Sequence, residues 1–150
     1  MNVLGVLPTS KDVTWVLLSG TKKQPSILPC EFQRHRFPRG AEDENVLSGV
    51  RDVFANLLRD HEIDLVRILA PKNNRFASNS RIRLKVEGVI QLVCFDASVR
   101  VASGEYRLEA AEKGFQKDTG GDVLSILNGG KQFSPVSIKD AVLVAWGGMQ

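Results

Sequence analysis

The apolar positions of this chain change period at Glu42, and that change restricts the folds open to it. Before it, short apolar runs are separated by turn residues. Asn2–Leu7 and Val13–Ser19 are nearly continuous apolar segments, with Pro8–Asp12 and Gly20–Pro25 as the breaks. Ile27–Phe37 alternates, setting Cys30 and Phe32 against Glu31, Arg34 and Arg36. Three such segments with short connections predict an antiparallel meander, because successive strand side chains point to opposite faces.

Beyond Glu42 the spacing becomes helical through Val46, Val50, Val53, Phe54, Leu57 and Leu58, ending near His61. Glu42, Asp43 and Glu44 occupy the first turn, where negative charge complements the helix dipole. Asp64–Ala70 predicts a short strand stopped by Pro71, and Ser80–Val93 predicts a helix carried by Ile82, Val86, Val89, Ile90 and Val93. Ser98–Ala102 reads as a further strand and Gly104–Phe115 as a charged helix. Gln116–Gln132, rich in glycine and polar residues, predicts a flexible loop with at most a brief helical turn at Val123–Leu127. A last helix is expected over Pro135–Trp146. Strands separated by helices pair in parallel through right-handed crossovers. The expectation is one α/β domain over residues 1–150, a mixed five-stranded sheet with helices on both faces.

Composition excludes several classes. No stretch approaches the roughly 18 apolar residues of a membrane span. Met1–Ser10 lacks the basic region and long apolar core of a signal peptide. The only cysteines, Cys30 and Cys94, form no CxxC and no His/Cys cluster, so neither a disulfide framework nor a zinc site is expected, and a reducing cytoplasm is the expected compartment. The net charge of +3 is only mildly basic, so its meaning depends on whether the cations cluster.

Specific residues add to the element order. Val3-Leu4-Gly5-Val6-Leu7-Pro8-Thr9-Ser10 resembles the first strand of the RuvC-type Holliday junction resolvases, which have an RNase H-like fold. That family reads apolar-apolar-Gly-apolar-Asp-Pro-Gly-Ser there, so Leu7 stands in place of the acid and Thr9 in place of the second glycine. Asp64-Leu65-Val66-Arg67-Ile68-Leu69 is similar to the family strand ending in a catalytic glutamate, a place Leu69 occupies. Lys85-Val86-Glu87-Gly88-Val89-Ile90 resembles the following helix, and looks closer still to an uncharacterised group of small bacterial RNase H-fold proteins. Ser137-Ile138-Lys139-Asp140-Ala141-Val142 is similar to the opening of the final helix, where the family places two ligands three residues apart. The resemblance implies an RNase H-like domain with catalytic acids missing.

Two-metal phosphodiester hydrolysis needs carboxylates converging on two Mg²⁺ ions about 3.5–4 Å apart. Leucine offers magnesium no oxygen ligand. With Leu7 and Leu69 in those places, Asp140 is the one remaining catalytic candidate of the set, and a single carboxylate does not hold two magnesium ions against water. Asp140 also fits a capping box with Ser137 as N-cap, which is the preferred reading. Glu31 is expected to face outward, Glu87 to form a helical ion pair with Arg83, and Asp96 to cap or solvate a turn. The positive neighbours of His35 disfavour its charged form, and His61 sits near a helix end. Gly129-Gly130-Lys131 lacks the strand-loop-helix context of a phosphate loop, which argues against a kinase or ATPase.

Two basic groups remain. Arg34, His35, Arg36 and Arg39 read as charges guarding a sheet edge. Lys72, Arg75, Arg81, Arg83 and Lys85 form a basic loop and helix whose cations suit DNA or RNA phosphates, with Phe76 available to stack on a base and Asn73, Asn74 and Ser78 for polar contacts. The same residues also fit a solvated loop and helix face. The sequence therefore reads as a catalytically degenerate RNase H-fold protein binding nucleic acid or a protein partner, with no cofactor or metal. An active nuclease with a relocated acid set would need Mg²⁺. A protein-binding or homodimerising module would use an apolar helix face with Val142, Val144 and Trp146.

Overall fold

A computed structural model describes residues 1–30, 33–71 and 80–150 of the chain. Its strands are β1 (Asn2–Pro8), β2 (Asp12–Gly20), β3 (Pro25–Leu28), β4 (Arg34–Arg36), β5 (Leu65–Leu69) and β6 (Arg100–Gly104). Its helices are α1 (Asp43–Asp60), α2 (Ser80–Asp96), α3 (Leu108–Thr119), α4 (Val123–Asn128) and α5 (Ile138–Gly147). The strands form one sheet in the order β3-β2-β1-β5-β6, with β4 also paired to β2.

β1 and β2 pair antiparallel from Asn2↔Ser19 to Pro8↔Val13, while β5 lies parallel to β1 and β6 parallel to β5. The mixed α/β sheet is as expected, and the predicted third strand divides in two. Pro29 cannot donate a ladder hydrogen bond. The segment leaves β2 after Leu28, paired to Leu17, and returns at Arg34, paired to Thr14.

Strand alternation creates two cores. Leu4, Val6, Trp15, Leu17, Val66 and Ile68 pack against Val50 and Phe54 of α1 and Val86 and Ile90 of α2. Val3, Val16, Leu18 and Leu65 pack on the other side against Phe115 of α3 and Ile138, Ala141, Val142 and Trp146 of α5. Each large apolar side chain buried this way contributes about 1.5–3 kcal/mol. That burial, rather than capping, holds α1 in place, since its N-cap Glu42 makes no side-chain cap bond. Gly5 lets α5 cross β1: a Cβ there would lie 2.7 Å from the Ala145 nitrogen and closer still to the Ala141 carbonyl.

Three expectations are corrected. The segment Gln116–Gln132 is largely helical, with Gln116–Thr119 finishing α3 and α4 following. Asp122 accepts the Ser125 amide hydrogen at 2.7 Å to cap α4, and buried Val123 pins it to the second core. The apolar face of α5 is not available to a partner, because Val142, Val144 and Trp146 are all buried in the domain. Trp146 stacks edge-on against Phe115 at 5.8 Å and its Nε1 donates to the Lys22 carbonyl at 3.0 Å. The capping box is absent as well. Ser137 stands at the N-cap position with helical backbone angles (φ −59, ψ −16), so its hydroxyl makes no cap bond. N-caps that bond through the side chain are extended.

Candidate nucleic-acid interface

The parallel strands β1, β5 and β6 end along one edge of the sheet, at Pro8, Leu69 and Gly104. Gly5 abuts α5, and Arg67 lies against Gly147 at its end. Leu7 and Leu69, each two residues further on, therefore face the α5 side as well. Leu7 is 8% exposed and Leu69 is half-buried. Asp140 sits in the first turn of α5, also half-buried. Burial raises its pKa, the Lys139 charge opposes that, and the Glu112 carboxylate adds to it. Lys139 in turn bridges to Glu112 at 2.7 Å. Among the described residues no three His, Cys, Asp or Glu side chains converge as a metal site requires.

α2 begins beside the end of β5. Its first turn contains no acid, in contrast to that of α1, which carries Asp43 and Glu44. Arg81 is exposed and makes no ion pair among the described residues. Lys85 bridges to Asp43 at 2.6 Å, with both side chains about half exposed (50% and 52%). Such a pair is worth less than about 1 kcal/mol and opens readily to another anion.

Arg83 turns inward, its Nη2 donating to the Leu69 carbonyl at 3.2 Å. Burial lowers its pKa, and the nearby Glu87 charge opposes the shift. The expected Arg83–Glu87 helical bridge gives way to separate partners, since Glu87 accepts a hydrogen bond from the Ser103 hydroxyl at the end of β6. Both residues thereby fasten α2 to the strand ends. Lys72, Arg75, Phe76, Asn73, Asn74, Ser78 and Glu31 lie outside the described residues.

The second basic group is an edge strand, as its charges suggested. Arg34 of β4 grips Asp12 of β2, its Nη2 2.6 Å and its Nε 2.7 Å from Oδ2, while the Thr9 hydroxyl donates to Oδ1 at 2.7 Å. His35 has its pKa lowered, and burial is the cause. His61 closes the C-terminal end of α1 through its backbone N–H to the Leu57 carbonyl. Burial pushes the Cys94 thiol up to about 11 and raises that of half-buried Cys30.

One feature near the strand ends escaped the sequence reading. The Arg67 guanidinium stacks over the Tyr106 ring at 3.7 Å, in space left by Gly147. The signal was present: Arg67 is the one charge inside the otherwise apolar β5 segment.

A mixed sheet in this strand order, with α1 and α2 on one face and α3 and α5 on the other, is an RNase H-like fold. The structure is similar to Thermus thermophilus RuvC in complex with a Holliday junction substrate, with a TM-score of 0.78 at 15% identity, covering 97% of this chain and 91% of that one. A second Thermus thermophilus RuvC structure gives 0.72 at 14% identity, covering 97% and 92%. The chain belongs to the family described as protein of unknown function DUF3010, whose profile matches residues 1–119. No curated protein matches it. No helix among the described residues is long and apolar enough to cross a membrane.

Proposed function

We propose that this chain is a RuvC-fold domain that binds nucleic acid without cleaving it. The observation that carries the reading is the pair Leu7 and Leu69, set at adjacent strand ends on the side facing α5. A two-metal centre there would need carboxylates. Of the positions where the resemblance places ligands, Leu7, Leu69, Ser137 and Asp140, only Asp140 carries a carboxylate, and burial favours its neutral form.

Binding is assigned to the start of α2. Arg81 and Lys85 project from an acid-free helical N-terminus, where the helix dipole also favours phosphate. Lys72, Arg75 and Phe76 precede them in sequence and would extend the contact to a further phosphate and a base. Arg83 holds the helix to β5. Both cysteines are free thiols, which fits a reducing cytoplasmic setting.

The test uses purified protein with labelled branched DNA, single-stranded DNA and RNA. Binding is expected with EDTA present, weakening steeply with salt, and no strand is cut when Mg²⁺ is added. Arg81→Glu with Lys85→Glu should lower the slope of log K against log salt by about two. Mg²⁺-dependent cleavage abolished by Asp140→Asn would establish the active nuclease instead.

A second reading is favoured by the outer face of α2. Leu84, Leu92 and Phe95 are 53%, 60% and 79% exposed there, with Gly88 open between the leucines. Antiparallel pairing of two copies about Gly88 would set Leu84 against Leu92 and bring Arg81 close to Asp96. A homodimer on this face is tested by sedimentation equilibrium, with Leu92→Glu expected to yield monomer. If the protein self-associates and binds no nucleic acid at low salt, this reading replaces the first.

A further inference from the structure

The Arg67 guanidinium is stacked but not bonded. It lies over the Tyr106 ring at 3.7 Å, and a Cβ at Gly147 would sit 3.1 Å from its Cζ. The side chain is half-buried, and no ion pair or hydrogen bond engages its fork among the described residues. The Nε of Arg83 is enclosed without a partner, whereas no nitrogen of Arg67 is, so the unbonded fork of Arg67 reaches solvent. A guanidinium held flat by a ring, with its donors idle, is pre-organised for a bidentate anion.

The stack stands at the strand-end edge. Leu69, the last residue of β5, pairs with Gly104, the last of β6. A Cβ on Gly104 would lie 3.0 Å from Cε1 of Tyr106, so the ring rests against that last pair and carries the guanidinium with it. Arg67 faces the α5 side of the sheet, as Leu69 does. α2, which carries Arg81 and Lys85, covers the opposite face.

The charge at this edge has one sign. From Leu65 to Val86 the sequence carries six lysines and arginines and no acid. β6 and the chain from Ala141 to Gln150 carry no acid either. Only the turn after β6 supplies one, the exposed Glu105. Asp140 stands in the first turn of α5, about 10 Å along the helix axis from Gly147.

We infer that Arg67, held flat on Tyr106, grips a backbone phosphate of the bound nucleic-acid strand from the α5 side, while Arg81 and Lys85 reach the strand from the α2 side. The strand then crosses the ends of β1 and β5 between two cationic flanks, where Leu7 and Leu69 offer metal ions no ligand. Tyr106 acts as a positioning residue, because its ring fixes the plane of the fork.

This contact presupposes the nucleic-acid reading above, and the test separates the two. Fluorescence anisotropy with labelled branched DNA, single-stranded DNA and RNA, over a range of salt, compares the full chain with three variants. Arg67→Gln should weaken binding about tenfold, a loss typical of hydrogen bonds to a charged group, and lower the slope of log K against log salt by about one. Arg67→Lys keeps the charge and loses the fork, so the slope should return while only part of the affinity does. Tyr106→Leu should weaken binding with the slope unchanged. In the wild-type chain, the Arg67 Nε–H signal of a proton–nitrogen NMR spectrum, assigned by its loss in Arg67→Lys, should shift as oligonucleotide is added. Wild-type binding that Arg67→Gln leaves unaltered in affinity and slope, or an Nε–H signal that stays in place at saturation, overturns the role of Arg67 and leaves the nucleic-acid reading standing. Absence of binding by the wild-type chain at low salt removes both.

Discussion

Gly5 of β1 lies beneath Ala145 of α5, so closely that a methyl group on Gly5 would come within 2.8 Å of the Ala145 Cβ. Backbone atoms of Ala141 and Ala145 close the same space, so no side-chain rotation can relieve the crowding. Gly5→Ala should lower stability by about 3 kcal/mol, measured by urea unfolding. Gly88, in the middle of α2, has nothing within 4 Å of such a methyl group. Gly88→Ala should raise stability by about 0.8 kcal/mol in the same measurement, through helix propensity alone.

Arg34 and Asp12 form the only ion pair among the described residues with a carboxylate as little exposed as 11%. Removing the arginine leaves a largely buried charge whose remaining side-chain partner is the Thr9 hydroxyl. Arg34→Met should cost about 2 kcal/mol in urea unfolding, more than Arg59→Met, whose partner Asp60 is 55% exposed.

Asp140 gives a pH signature. Its folded pKa is raised above the unfolded value, chiefly by burial. The folded state therefore binds the proton more tightly, and this group's effect on stability becomes less favourable as pH rises through the carboxylate range. Asp140→Asn should raise the Tm at pH 7, and the gain should shrink as pH falls through the folded pKa and vanish below the unfolded one. A Tm difference that grows on acidification would contradict the sign.

Thiol reactivity follows burial. Cys94 is wholly buried with its thiol pushed up to about 11, and Cys30 is raised as well. At pH 8 the native protein should react slowly with a disulfide reagent at Cys30 and not at all at Cys94, whereas both should react promptly in denaturant.

Much of the fold was legible because burial and period agree. β1 and β2 are apolar on both faces, since helices cover both sides of the sheet there, and α1 carries Val46, Val50, Phe54 and Leu57 inward at helical spacing. α4 was only partly legible, as a brief turn at Val123–Leu127, for a local reason: six residues give too few turns for a period, and the glycines around it read as loop even though Asp122 caps it. Leu7 and Leu69 were set at two strand ends by the resemblance, whereas their common face needed the β1–β5 register and the contacts of Gly5 and Arg67 with α5. The direction of Arg83 was not legible, because an arginine on a helix serves equally to meet solvent or a carbonyl, and only the position of Leu69 decides it.

The sheet face covered by α5 has a consequence for synthesis. Val3, Val16 and Leu18 leave the ribosome more than a hundred residues ahead of Ile138 to Met149, which cover them. At ordinary elongation rates the wait is roughly ten seconds. Throughout that interval the nascent chain can close its α1 and α2 side while the opposite face stays greasy and open, an invitation to holdase chaperones or to misassociation between neighbouring chains on one message.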